Sequence, residues 1–205
     1  MKSDEKNQLI ERWTKELTGC TKQQAAKEIH ELLTKSGEKD EADVRAAVVL
    51  KDLYDCHACV NHVAQVYVKG IMESSRTDVF GMQERLSGGE AYLAARRIWD
   101  RRYRKHVQKY DDRDAGPRPL NGEELAKLGA DYLIDVRSPG EYAGGHLDNA
   151  ISVPLENYYR NPYSVTSRID AKLVMICAQG VKSRLAAELA YRAGFTNVFY
   201  MRMQP

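Results

Sequence analysis

The sequence has no apolar run long enough to span a bilayer, and its first residues are charged rather than hydrophobic. Neither a transmembrane span nor a secretory leader is therefore expected, and a cytoplasmic location is the corresponding expectation. It also lacks an excess of charge: 31 lysines and arginines stand against 29 aspartates and glutamates, leaving a formal charge of +2. That balance gives no reason to expect nucleic acid or a membrane surface as a partner. Internal repeats and low-complexity tracts are absent. Cysteine is sparse at 4 residues, too few for a disulfide scaffold in a chain of 205. In a reducing compartment such cysteines are buried, metal-bound or reactive.

What is present divides into two parts with different periods. Residues 1–109 read as an all-α domain. Leu9, Ile10, Trp13 and Leu17 recur at helical spacing, and Thr21 caps a second helix carrying Ala25, Ala26, Ile29, Leu32 and Leu33. An alanine- and valine-rich pattern over residues 41–72 predicts one long helix or two joined ones. Ser87 opens a further helix through residue 107, with a basic end at Arg101, Arg102, Arg104 and Lys105 that suits the helix dipole. Residues 110–119 turn acidic and then read Gly116-Pro117-Arg118-Pro119, which cannot propagate a helix, so the linker is placed there. Residues 120–205 alternate short apolar runs with helical patterns. Strands are expected over 132–136, 150–153, 173–176 and 197–200, and helices over 122–128 and 183–193. That alternation predicts an α/β layer fold with a mainly parallel sheet.

Two cysteine clusters invite chemistry. Cys56-His57-Ala58-Cys59 falls inside the predicted helical pattern rather than at a helix start. The favoured reading is of small apolar thiols on a buried stripe with Leu53, Val60 and Val63. A thioredoxin-like redox pair and a zinc half-site, with Asp52 or His62 nearby and Cys20 and His30 as more distant candidates, are weaker alternatives. A sulfur relay between this pair and Cys177 has no direct support in the sequence.

Cys177 is different. It ends the predicted strand and begins a loop, Ala178-Gln179-Gly180-Val181-Lys182-Ser183-Arg184, that runs into a helix. Strand carboxyl ends are where open α/β sheets hold ligands. Loop amides and a helix N-terminus favour an anion there, Lys182 and Arg184 add positive charge, and Gly180 lets the backbone curl. Each of these favours thiolate over thiol. The local physics stops at an activated thiolate and does not choose between sulfur transfer, phosphate-ester cleavage and redox sensing.

Further residues narrow the choice. Asp135-Val136-Arg137, Glu141-Tyr142, Gly145-His146-Leu147, Ala150 and Val153-Pro154 resemble the amino-terminal rhodanese signature. Cys177 with Gly180, Lys182 and Ser183 resembles the active-site loop, and Gly194-Phe195 with Asn197-Val198 its carboxyl-terminal part. The resemblance covers residues from about 116 to 205 and implies a sulfurtransferase. Cys177 would take sulfane sulfur from a donor such as thiosulfate and pass it to cyanide or a thiol. The amides from Ala178 to Ser183 would cradle the anionic sulfur, with no metal and no cofactor. The loop length fits, because the sixth residue counted from Cys177 is basic, Lys182, whereas the related phosphatases close a seven-residue loop with arginine. A lysine here keeps the charge of the more usual arginine but not its bidentate fork. Asp135, Arg137, Glu141 and His146 are read as framework, with Arg137 and Glu141 expected to pair and His146 to be hydrogen-bonded.

The family usually continues past the last strand into a closing helix that this sequence lacks. The face so exposed is expected to be covered by the helical half or by a second copy. The resemblance also permits a second function: a non-catalytic or sensing module that uses the fold as a scaffold for protein interactions.

Overall fold

The computed structural model describes residues 3–107 and 116–203. Part of the expected linker, residues 110–115, lies outside the described residues. The chain forms two compact units. One holds the residues up to Leu53 and those from Ala58 to the end of the helical half; the other holds the α/β half together with the short segment Tyr54–His57.

The helical unit contains α1 (Ser3–Leu17), α2 (Lys22–Lys35), α3 (Val60–Val68) and α4 (Gly88–Trp99). Ile10, Trp13 and Leu17 are the buried stripe of α1, which packs on α4, and Ala25, Ala26, Ile29 and Leu33 that of α2, which packs on α3. Thr21 and Ser87 each close a capping box, with Gln24 and Glu90 as the reciprocal partners. In the basic run after α4, Arg101, Arg102 and Lys105 are exposed and Arg104 is half-buried. Arg104 and Arg101 both pair with Glu38, at 2.7 and 2.8 Å, and the helix itself stops at Trp99. Burial pushes the Glu38 carboxyl up, but its bonds to Arg104 and Arg101 and the charge of Lys69 outweigh this and bring it down to about 2.

The long helix expected over residues 41–72 is not formed. Two 3-10 turns, Arg45–Val49 and Lys51–Asp55, precede α3, with Leu50 in extended conformation between them. Tertiary bonds decide this. Asp43 accepts from the Arg45 amide, and Asp52 accepts from the amides of Phe80, Gly81 and Met82 at 2.8–3.0 Å. Acidic side chains committed to loop amides hold the backbone away from a continuous helix, and the β-branched valines add little helical preference to oppose them.

The second unit is built on five parallel strands: β1 (Arg118–Pro119), β2 (Tyr132–Asp135), β3 (Ala150–Ser152), β4 (Lys172–Cys177) and β5 (Asn197–Arg202), in the order β1-β5-β4-β2-β3. Between them run α5 (Gly122–Leu128), α6 (Pro139–Ala143), α7 (Leu155–Arg160) and α8 (Val181–Arg192). Strand β1 falls within what the sequence reads as linker; proline is tolerated there because the strand is at the sheet edge. Alternation along β4 splits the core. Val174 and Ile176 join Phe199 and Met201 on one face, where Leu120, Leu125 and Leu128 pack. Leu173, Met175 and Cys177 have the opposite parity, and α8 packs on β4 and β5 through Leu185, Ala186 and Ala190. No helix among the described residues is long and apolar enough to cross a membrane.

Candidate active site

Strand β4 is buried from Leu173 onward and delivers Cys177 at its carboxyl end, 2% exposed. The chain turns at Gly180, whose φ of +89° is a left-handed conformation that suits glycine, and α8 begins at the next residue. This turn aims two backbone N–H groups at the sulfur. Gly180 N–H donates to Cys177 Sγ at 3.1 Å and Ser183 N–H donates at 3.2 Å. Ser183 Oγ lies 3.4 Å from the same sulfur and donates its own proton to Gly180 O at 3.1 Å. The sulfur thus sits at the N-terminus of a twelve-residue helix with amide protons pointed at it, an arrangement that favours negative charge.

The other loop residues take separate places. Ala178 and Gln179 are exposed and Val181 is buried. Arg184 lies over the Tyr200 ring, its guanidinium carbon 5.3 Å from the centroid. Lys182 faces the site, and the Arg137 guanidinium also lies within electrostatic reach of Cys177. Burial pulls the Lys182 pKa down, and the charges of Glu141 and Cys177 push it back up.

Of the framework residues, Asp135 and Arg137 form a buried bidentate pair. Arg137 Nη2 donates to Asp135 Oδ2 at 2.7 Å and Nε donates to both carboxylate oxygens at 3.0 Å. A further bond from Nη2 to the Gly145 carbonyl, 2.6 Å, ties the loop after α6 to the end of β2. The expected Arg137–Glu141 pair is therefore not what forms. Glu141 instead completes a capping box with Ser138 at the start of α6. Burial raises the Glu141 pKa, but bonds from Ser138 and His57 and the charge of Lys182 outweigh it and bring it to about 2. His146 is hydrogen-bonded as expected: Nδ1 donates to the Tyr142 carbonyl at 3.0 Å, and the ring stacks on Tyr142 with centroids 3.8 Å apart.

One participant is missed by sequence reasoning. His57, in the segment Tyr54–His57 that groups with this unit, stands beside the loop. Its Nε2 is 2.5 Å from Lys182 Nζ and 3.0 Å from Glu141 Oε2, and its Nδ1 is 3.3 Å from Glu156 Oε2. With the ring proton on Nδ1, Nε2 accepts from the lysine ammonium; with it on Nε2, the ring donates to Glu141. In the first tautomer the histidine accepts from the lysine directly; in both, the Glu141 carboxylate lies 3.9 Å from the ammonium at the side of the loop. The signal in the sequence was a histidine bracketed by two cysteines, with nothing to tie it to a loop so distant along the chain. Cys56 and Cys59 are joined by a disulfide and are only half-buried, so the reading of two thiols on an apolar stripe is corrected. Among the described residues no group of three or more histidine, cysteine or acidic side chains is arranged to hold a metal.

A parallel α/β unit that presents a cysteine sulfur to amides at a helix N-terminus is a setting in which an anion is favoured, and comparison with known proteins gives the unit a family. Residues 121–203 match the rhodanese-like domain, and the chain belongs to that family. The thiosulfate sulfurtransferase GlpE of Pseudomonas paraeruginosa is 31% identical over 81 residues, covering 40% of this chain and 71% of that protein. The tRNA uridine(34) hydroxylase of Sodalis glossinidius is 30% identical over 89 residues, covering 40% of this chain and 25% of its own length. This chain thus spans only a quarter of that relative. Among solved structures, the human single-domain sulfurtransferase TSTD1 is similar at 26% identity with a TM-score of 0.35, covering 42% of this chain and 88% of that one.

Proposed function

We propose that this protein is a cytoplasmic sulfurtransferase that carries sulfane sulfur on Cys177. The thiolate attacks the outer sulfur of a donor such as thiosulfate, the S–S bond breaks, and sulfite leaves with the electron pair. The persulfide then gives its outer sulfur to cyanide or a thiol, restoring the thiolate. The observation that carries this reading is the pair of N–H donors from Gly180 and Ser183 on Cys177 Sγ. A sulfur anion in that position needs no general base for attack. The relatives named thiosulfate sulfurtransferase agree with it.

Two-substrate kinetics with thiosulfate and cyanide test it. A carrier mechanism gives a ping-pong pattern, with parallel double-reciprocal lines and sulfite released before cyanide binds. Intersecting lines, or no thiocyanate formed, would contradict it and favour the scaffold function.

Lys182 supplies a separate prediction. Its charge attracts the dianionic donor, and burial lowers its pKa. The ammonium is lost as pH rises, so the KM for thiosulfate should climb at a pH below the usual lysine range while kcat changes less. Glu141 opposes the lowering, so Glu141→Gln should move that climb to still lower pH. Identical pH profiles for the two proteins would show that Lys182 does not bind the donor.

A further inference from the structure

The Cys56–Cys59 pair occupies a different setting from the one its sequence predicts. It lies at a helix start: Cys59 is the N-cap residue of α3, and the two cysteines are joined by a disulfide. Thiols near a helix N-terminus are favoured as thiolates, the form that attacks a sulfane sulfur. The first half of the motif is seated in the unit that holds Cys177. Tyr54 is 2% exposed and stacks on Tyr159, ring centroids 4.1 Å apart. His57, next in the chain after Cys56, bonds Lys182 of the active-site loop and Glu141. Cys56 is thus one residue from a side chain that touches the loop, and it is half-buried rather than enclosed.

We propose that reduced Cys56 and Cys59 discharge the sulfur carried by Cys177, giving the protein a second activity, reduction of sulfane sulfur to sulfide. This rests on the carrier reading of Cys177. The Cys56 thiolate attacks the outer sulfur of the Cys177 persulfide. A bond forms from Cys56 Sγ to that sulfur, the bond to Cys177 Sγ breaks, and the electron pair stays on Cys177 as thiolate. The Cys59 thiolate then attacks Cys56 Sγ, the Cys56–Cys59 disulfide forms, and hydrosulfide leaves and takes up a proton. The sulfane sulfur gains two electrons and the two thiols lose them, with the disulfide seen in the structure as the product. A small-molecule or protein dithiol must reduce that disulfide for a further turn.

The test uses the full chain in a Cys20→Ala background, which removes the remaining free thiol. The protein is reduced, freed of reductant and given one equivalent of thiosulfate, and hydrosulfide and the chain's mass are followed. The expected result is one equivalent of hydrosulfide per chain, with the Cys56–Cys59 disulfide formed and Cys177 free. With Cys59→Ser or Cys56→Ser, hydrosulfide release should slow by at least about tenfold, the loss expected when a resolving or attacking thiol is absent, and the sulfur should remain on the chain. Hydrosulfide release at the parent rate from either variant overturns the proposal while leaving Cys177 as carrier. So does a parent chain that keeps its sulfur and releases none. A chain that takes up no sulfur in any of these proteins overturns the carrier reading as well.

Discussion

Replacing Cys177 with alanine is expected to lower thiocyanate formation by at least about a thousandfold, because in the proposed mechanism Cys177 takes sulfur from the donor and holds it between half-reactions. The fold should survive. The side chain is small and 2% exposed, and its loss removes one acceptor from the Gly180 and Ser183 amides. That amounts to about 1–2 kcal/mol, less than the stability of an ordinary domain. Circular dichroism and a urea melt beside the rate measurement separate the two effects. A variant that keeps its fold and a tenth or more of its rate would show that sulfur passes directly from donor to acceptor.

The second large effect is structural. Asp135→Ala is expected to destabilise the α/β unit by about 3–5 kcal/mol, the usual loss when one partner of a buried ion pair is removed. Asp135 is 1% exposed and takes three bonds from the Arg137 guanidinium and one from the Arg137 amide. Without it the guanidinium is left with the Gly145 carbonyl as its remaining hydrogen-bond partner. Replacing both residues with apolar ones of similar size should recover much of the loss, since the penalty lies in the stranded charge. The midpoint of the α/β unit's unfolding in urea reads this out. A loss below about 1 kcal/mol would place the pair among weak, solvent-screened bridges.

The fold of the α/β half was legible because buried parallel strands read as short apolar runs bounded by turns, as at Leu173-Val174-Met175-Ile176. Strand β1 was not, since two residues with a proline carry no strand pattern; it exists because β5 offers an edge. In the helical half, Thr21 and Ser87 read as helix starts from their residue type alone, and the structure closes a capping box at each. Residues 41–72 misled because valines and alanines three and four apart fit a buried 3-10 turn as well as an α-helix. The deciding bonds, from Asp52 to Phe80, Gly81 and Met82, are long-range in sequence.

The site divides in the same way. Cys177, Gly180, Lys182 and Ser183 lie in one loop, so their chemistry could be read from consecutive residues. Arg137 and Glu141 stand four apart with opposite charges, but each had a nearer partner. Asp135 is fixed beside Arg137 by the end of β2, and Ser138 with Glu141 is a capping-box sequence in its own right. His57 reaches the loop only through the tertiary fold. Its role leaves no local trace, and the same holds for the position of Cys56.

The most direct test of this account is to incubate the protein with thiosulfate under oxidising conditions that keep the Cys56–Cys59 disulfide intact, then map the product by peptide mass. The account predicts a gain of about 32 Da, one sulfur atom as a persulfide, on the peptide containing Cys177, and its removal by cyanide. No gain there, or sulfur found on Cys20 instead, would contradict it.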